Sequence, residues 1–409
     1  MGSSQRQSCL MTPRTLSLTE YQPTTFSASE ISGAEGEALW QHWQKKVCVE
    51  FPSPKTKGQW SLSSQGWVGY LPVTPEFGIR IHPRVPLRNL FGMLEYAYRL
   101  RSIQFLPGLI DCESLEGFFE RLVRIVTSRA SDRIRKGLHR EYVRVTERLP
   151  LVRGCVNLEI RLRRPWMVEV DCEFDEHTAD LKVNQILTWT LWRATRTGLC
   201  GEPVLQSVRK VLRAMLSVVS LTPMAPGDCV LRVYHRLNED YRSIHALCRL
   251  ILENLGPSHE IGQHQMLPFI VNMSHLFELF VGEWLTANID ARYMCQAQQR
   301  VQLGDSGDLA FRIDMVVCDT ATTHPLCVID TKYKIPDRPS QADIFQAVTY
   351  ATLKDCREAV LVYPKRLDHP LDEVIGKIRV RSMTFSLDGD LDHEGRRFLD
   401  EMFGANRAE

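Results

Sequence analysis

Residues 308–334 read DLAFRIDMVVCDTATTHPLCVIDTKYK. Two apolar runs, FRIDMVV and LCVID, flank the turn-like TATTHP, which predicts two paired strands. Near-continuous apolar runs are typical of strands buried on both faces. The first strand carries Asp314, and the second ends on Asp330, Thr331 and Lys332. Side chains alternate along a strand, so Asp330 and Lys332 share a face, and pairing around the turn brings Asp314 to it. On an exposed strand this alternation would be an ordinary solvated face. Inside apolar runs a charge is costly unless it is paired or holds a metal. Two hard carboxylate ligands suit magnesium, which keeps its other positions for water and phosphate. A lysine beside them can stabilise developing charge or orient an attacking water. The constellation fits phosphodiester hydrolysis.

The chain of 409 residues is long enough for two or three domains, and its 44% hydrophobic and 24% charged content is that of a soluble globular protein. No apolar run reaches the roughly 18 residues of a membrane span, and no signal-peptide pattern opens the chain, so a cytoplasmic protein is expected. The 12 cysteines are scattered without a CxxC pair or zinc-finger spacing, which reads as reduced, mostly buried thiols. No GxxxxGK[ST] occurs, so any nucleotide-driven step belongs to a partner.

Working outward, residues 1–34 are rich in Ser, Thr, Pro and Gln and are expected to form a disordered tail. Residues 35–110 predict a short helix, then the strands QWSLS, GWVGYLPV and GIRIHPRV in a small β-rich unit, then the helix PLRNLFGMLEYAYRL. Trp60, Trp67 and Tyr70 read as its core in preference to a stacking surface. Residues 111–265 read as mainly helical. Within them, 117–164 hold 13 Lys or Arg against 5 Asp or Glu, a basic patch suited to a phosphate backbone or an acidic partner, or else the polar face of helices. Asp171, Glu173, Asp175, Glu176 and Asp180 resemble a metal cluster at first sight but read better as helix-start acids, with Thr178 or Asp180 as the cap. Residues 266–409 run helix, strand, strand, strand, helix, strand, which predicts a mixed sheet flanked by helices. The expected class is therefore multi-domain α/β. In this last part Glu278 sits in the helix MSHLFELFVGEWLTANI. Gln346 and Tyr350 lie four residues apart on QADIFQAVTYATLKD, and so on one face.

Glu278 in LFELFV, Asp314 in RIDMVV, Asp330 and Lys332 in IDTKYK, Gln346 and Tyr350 in QAVTYA, and the closing LVYP together resemble nucleases of the PD-(D/E)XK superfamily. Within it the chain resembles the McrC family of modification-dependent restriction systems. GWVGYLPV, IHPRVPLRNLFGMLEYA, GLHREYV, RGCVN and DLKVNQIL agree more loosely, so the likeness covers most of residues 55–365. Where that family has RPD this chain has RID, which keeps the aspartate.

The resemblance implies a restriction-endonuclease-like domain at 266–409 and a DNA-cleaving subunit of a two-component complex. The implied partner is a McrB-like AAA+ ring that hydrolyses GTP and recognises methylated DNA. The N-terminal half would dock on the ring and stimulate hydrolysis, and DNA would be cut when two complexes meet. In the implied site Asp314, Asp330, the Thr331 carbonyl and Glu278 hold magnesium, Lys332 orients water, and Gln346 and Tyr350 position the site. Two alternatives stand beside it: a stand-alone magnesium-dependent nuclease of the repair-exonuclease type, and a non-catalytic activator of an NTPase ring.

Overall fold

The computed structural model describes residues 14–74, 76–100, 114–156, 166–230, 234–256, 259–261, 264–266, 268–303 and 309–404. The chain divides into two compact units. One joins the N-terminal part up to Phe118 to everything from Asn254 onward, and the other is Phe119–Glu253.

The first unit opens with β1 (Arg14–Thr19), β2 (Thr24–Phe26), α1 (Gly33–Trp43), β3 (Val47–Glu50), β4 (Trp60–Ser64), β5 (Trp67–Thr74), β6 (Phe77–His82) and α2 (Leu87–Ala97). The expected disordered tail is thus corrected from Arg14 onward, while residues 1–13 lie outside the described ones. β1 runs parallel to β6, pairing Arg14 with Phe77 through Thr19 with His82. Leu18, Phe26 and Ile31 enter the same core as Leu39, Trp43, Trp60, Leu71 and Ile79. A Ser/Thr-rich composition hid these strands, because an edge strand needs few apolar anchors and Thr is itself favoured on a pleated surface. α1 starts on a capping box in which the Ser32 side chain accepts from the Glu35 N–H and the Glu35 carboxylate accepts from the Ser32 N–H. Trp60 and Tyr70 are buried core, and Trp67 packs against that core partly exposed. The buried Trp43 indole N–H donates to the Pro72 carbonyl at 3.1 Å.

The second unit holds most of α3 (Leu115–Lys136), then β7 (Glu141–Leu149), β8 (Cys155–Val156), β9 (Val170–Thr178), α4 (Lys182–Ala194), α5 (Glu202–Leu216) and α6 (Tyr241–Asn254). The acids expected at a helix start lie instead on β9. In the antiparallel register Asp175 faces Arg144 and Asp171 faces Arg148, and Arg148 pairs with Asp171 at 3.1 Å. Arg144 lies within 3.7 Å of both Glu173 and Asp175. They are the cross-strand partners of the basic patch, which opposite charges on facing residues favour. Asp180 does not cap α4. It accepts from the Gln185 amide and from the Ser220 N–H and hydroxyl.

Back in the first unit come β10 (His259–Ile261), β11 (His264–Met266), β12 (Phe269–Asn272), α7 (Met273–Asn288), β13 (Tyr293–Leu303), β14 (Leu309–Asp319), β15 (Pro325–Thr331), α8 (Gln341–Leu353), β16 (Glu358–Tyr363), β17 (Asp372–Ile375), β18 (Ile378–Thr384) and α9 (Leu391–Phe403). β12 completes the N-terminal sheet in the order β1-β6-β5-β12. Its approach is so close that a Cβ on Gly69, at φ +129°, would fall 2.2 Å from the Phe269 carbonyl oxygen, which only glycine permits. The six-stranded sheet β13-β14-β15-β16-β18-β17 is mixed, as expected, with β15, β16 and β18 parallel and the remaining pairs antiparallel. Among the described residues no cysteine is in a disulfide, and eight of the ten are buried. No described helix is long and apolar enough to cross a membrane.

Candidate active site

β14 and β15 pair around a turn in which Asp319 Oδ1 accepts from the N–H groups of Ala321 and Thr322, and Thr323 adopts φ +57°. Met315 faces Ile329 and Val316 faces Val328. One step further, that register sets Asp314 against Asp330. Asp314 Oδ2 accepts from the Thr331 N–H and hydroxyl, both at 2.8 Å. Asp330 is 2% exposed. Lys332 Nζ lies 2.6 Å from its Oδ2, a buried ion pair. Lys332 Nζ also donates to Gln346 Oε1 at 2.9 Å, and Gln346 Nε2 donates to the Tyr350 hydroxyl at 2.8 Å. An ammonium has only donors, so it fixes which end of the amide it meets. α8 supplies both residues from one face, and Tyr350 is buried in the core beneath.

Glu278 projects from α7 into the same region. Its Oε1 accepts from Arg312 at 2.9 Å, and its Oε2 lies 3.5 Å from His275 Nδ1. The structure thus joins Asp330, Lys332, Gln346 and Tyr350 by direct contacts and ties Asp314 beside them through Thr331. It adds Glu278 through its charge, which acts on Asp314.

Burial dominates the electrostatics. It pushes Asp330 up to about 7, the Lys332 charge opposing and Asp314 adding to the rise. It also raises Asp314, helped by the Glu278 charge, while the bonds from Thr331 pull the other way. Glu278 differs: burial raises it, but His275 and Arg312 outweigh that and hold it below the usual range. Burial acts to lower Lys332, yet the surrounding carboxylates Asp330, Asp343 and Asp314 raise it and keep it charged. Two neighbouring carboxylates with raised pKa values are what a hard cation would relieve, and Asp314 and Asp330 offer the oxygen ligands that magnesium takes. The Glu278 carboxylate, held by Arg312 and His275, is not gathered with them into a three-carboxylate cluster.

The family described as McrBC 5-methylcytosine restriction system component matches residues 62–364. The chain belongs to this family. No curated protein matches it. Among solved structures, a half-complex of Thermococcus gammatolerans McrB AAA+ hexamers with bound McrC, from a tetradecameric assembly, matches at TM-score 0.52 and 18% identity, over 95% of this chain and 100% of that one. At that identity the likeness is one of fold. The cryo-EM structure of the Thermococcus gammatolerans McrBC complex matches at TM-score 0.42 and 19% identity, over 68% of this chain and 88% of that one.

Around the same site in this McrBC component stand residues that the sequence did not point to. Asp343 is buried, 2.5 Å from Lys334 Nζ and 3.9 Å from Lys332 Nζ. Its signal was the capping box Ser340-x-x-Asp343 at the start of α8. Arg312 and His275 hold Glu278, and no motif pointed to either of them. Glu20 and Tyr333 gave no sequence signal at all.

Proposed function

We propose that this McrBC-family chain is the DNA-cleaving subunit of a modification-dependent, methylcytosine-type restriction complex, hydrolysing phosphodiester bonds with magnesium. The observation that carries this reading is the convergence of Asp314, Asp330 and Lys332 at the end of two buried strands, with the Lys332 ammonium within 2.6 Å of Asp330. Asp314, Asp330 and the Thr331 carbonyl would hold the ion, with Glu278 adding its carboxylate through a water. When bound, it would polarise the phosphate and lower the pKa of a bound water.

The chain's own residues do the rest. Thr331 fixes the Asp314 carboxylate through Oδ2, which leaves Oδ1 for a cation. Lys332 is kept protonated by the acids around it, so it serves as a fixed positive charge and water-orienting donor instead of a base. Gln346 accepts from the same ammonium, and Tyr350 holds Gln346. This chain of contacts sets where the lysine charge sits when the phosphorus is attacked in line.

The partner we infer is a McrB-like AAA+ GTPase ring. In support, the Thermococcus structure holds McrC on McrB AAA+ hexamers. The second unit exposes Leu151 (78%), Val152 (65%), Trp166 (76%) and Val168 (86%) near the ends of β7 and β9. Large apolar side chains clustered in the open mark a surface that a partner covers. Cleavage of both strands would follow from two complexes meeting on the DNA. The test compares wild type with Asp330→Ala and Lys332→Ala, each purified with its partner and given methylated DNA, GTP and magnesium. Both variants should stay folded, bind the ring and stimulate GTP hydrolysis while cleavage falls by at least about 100-fold. Equal cleavage by wild type and Asp330→Ala refutes the assignment. Cleavage by the chain alone would favour a stand-alone nuclease.

A further inference from the structure

Glu20 follows β1 directly and is fully buried, yet it partners Tyr333, 313 residues away. Its Oε1 accepts from the Tyr333 hydroxyl at 2.7 Å and from the Arg84 N–H at 2.8 Å. Its Oε2 is buried without a hydrogen-bond partner. A carboxyl placed so is costly to keep. The Arg84 guanidinium holds the Glu20 and Tyr21 carbonyls at 2.9 Å each, so the peptide carrying the carboxyl is itself pinned.

What Glu20 holds matters because Tyr333 immediately follows Lys332. β15 ends at Thr331. Three contacts hold the chain just beyond it, the first of them the last rung of the β15–β16 ladder. The Lys332 N–H donates to the Val362 carbonyl at 2.8 Å, the Tyr21 hydroxyl donates to the Tyr333 carbonyl at 3.0 Å, and the Tyr333 hydroxyl donates to Glu20. The Tyr333 ring also packs against Phe277, the neighbour of Glu278 on α7, with centroids 5.9 Å apart. Tyr333 therefore ties the N-terminal sheet to both the lysine and the helix that carries the third carboxylate. A charged group acts on a reaction only when it is held within a fraction of an ångström of its productive position.

We propose that Glu20 is a positioning residue for DNA cleavage: by accepting the Tyr333 hydroxyl it fixes the backbone from which Lys332 reaches the scissile phosphate. This rests on the nuclease reading above and extends it to a residue outside the segment 62–364 that the family matches. The N-terminal sheet, which shares a compact unit with the C-terminal sheet, is then a component of the nuclease.

The test uses the full chain with its co-purified partner and compares wild type, Glu20→Gln, Glu20→Ala and Tyr333→Phe. Single-turnover cleavage of methylated DNA is measured over a range of DNA concentrations, together with thermal unfolding and amide hydrogen exchange of residues 330–335. Glu20→Ala and Tyr333→Phe should lower the limiting cleavage rate by about tenfold or more, with DNA affinity within about twofold of wild type. Both should speed exchange at 332–335. Glu20→Gln keeps an acceptor for Tyr333 and Arg84, so it should cleave and exchange like wild type. Wild-type cleavage by Glu20→Ala overturns the proposal. So does a defect in Glu20→Gln equal to that in Glu20→Ala, or a loss that disappears on cooling well below the unfolding midpoint. If wild type itself does not cleave, the nuclease reading falls. The exchange comparison then still decides the clamp, and unchanged exchange at 332–335 in Glu20→Ala removes it.

Discussion

Moving from pH 8 to pH 6 should weaken divalent-ion binding by the chain about tenfold, because Asp330 titrates between the two. Burial pushes this carboxyl up to about 7. At pH 8 roughly nine molecules in ten carry it ionised, and at pH 6 roughly one in ten, so the competent fraction changes about tenfold, or about 1.4 kcal/mol. The sign follows from linkage. A cation binds the ionised form and must displace a proton at the lower pH, so affinity rises with pH and levels off above the pKa. Without the ion, the raised carboxyl destabilises the fold as pH climbs from the unfolded carboxylate range toward 7. Added ion should therefore raise the unfolding midpoint more at pH 8 than at pH 6. The assay is isothermal titration calorimetry with Mg²⁺ or Mn²⁺ at pH 6, 7 and 8 in buffers of different ionisation enthalpy, which also counts protons released. Asp330→Asn should lose both the tight binding and the pH step. An affinity flat across this range in wild type, or a pH step that survives in Asp330→Asn, refutes the placement of the ion on Asp330.

Three further outcomes are expected. Gln346→Leu removes the acceptor that holds the Lys332 ammonium, a charge-assisted bond worth about 1.5–3 kcal/mol, so single-turnover cleavage should fall about 10- to 100-fold with little change in unfolding temperature. Gly69→Ala drives a methyl against the Phe269 carbonyl and strains φ +129°, so it should destabilise the fold by at least about 1–3 kcal/mol in denaturant titration and loosen β12. Leu151→Asp with Trp166→Asp alters only exposed residues. Stability should change by under about 0.5 kcal/mol, while co-purification of the AAA+ partner and stimulation of its GTP hydrolysis are lost.

The six-stranded sheet was legible because its signals are local. Apolar runs with a charge inside them, an obvious turn and a helix carrying Gln346 and Tyr350 each stand within a few residues of the next. The pairing of β14 with β15 then follows from the pattern alone. What escaped was either non-local or compositionally disguised. β1 is a strand only because β6, more than sixty residues later, offers it an edge. Ser and Thr there look like a tail until Leu18 is seen in the core. The acids 171–176 were misplaced because their partners are arginines on β7, about thirty residues upstream, and no window on one strand contains the other. Glu20 is the extreme case: a single glutamate in a polar stretch carries no periodicity, and its burial exists only once Tyr333 and Arg84 close over it.

The pairing of β12 with β5 has a consequence for synthesis on the ribosome. β5 has left the exit tunnel long before its partner at Phe269–Asn272 has been translated. At about 5–20 residues per second, the roughly 200 intervening residues take about 10–40 s. For that interval β5 presents an open edge rich in Val, Leu and Tyr, a template for mispairing with other nascent chains. The whole Phe119–Glu253 unit emerges during the same wait and can fold on its own schedule. The segment bearing Asp330 and Lys332 comes later still, so the proposed DNA-cutting centre assembles only after β1–β12 and the Phe119–Glu253 unit have been made.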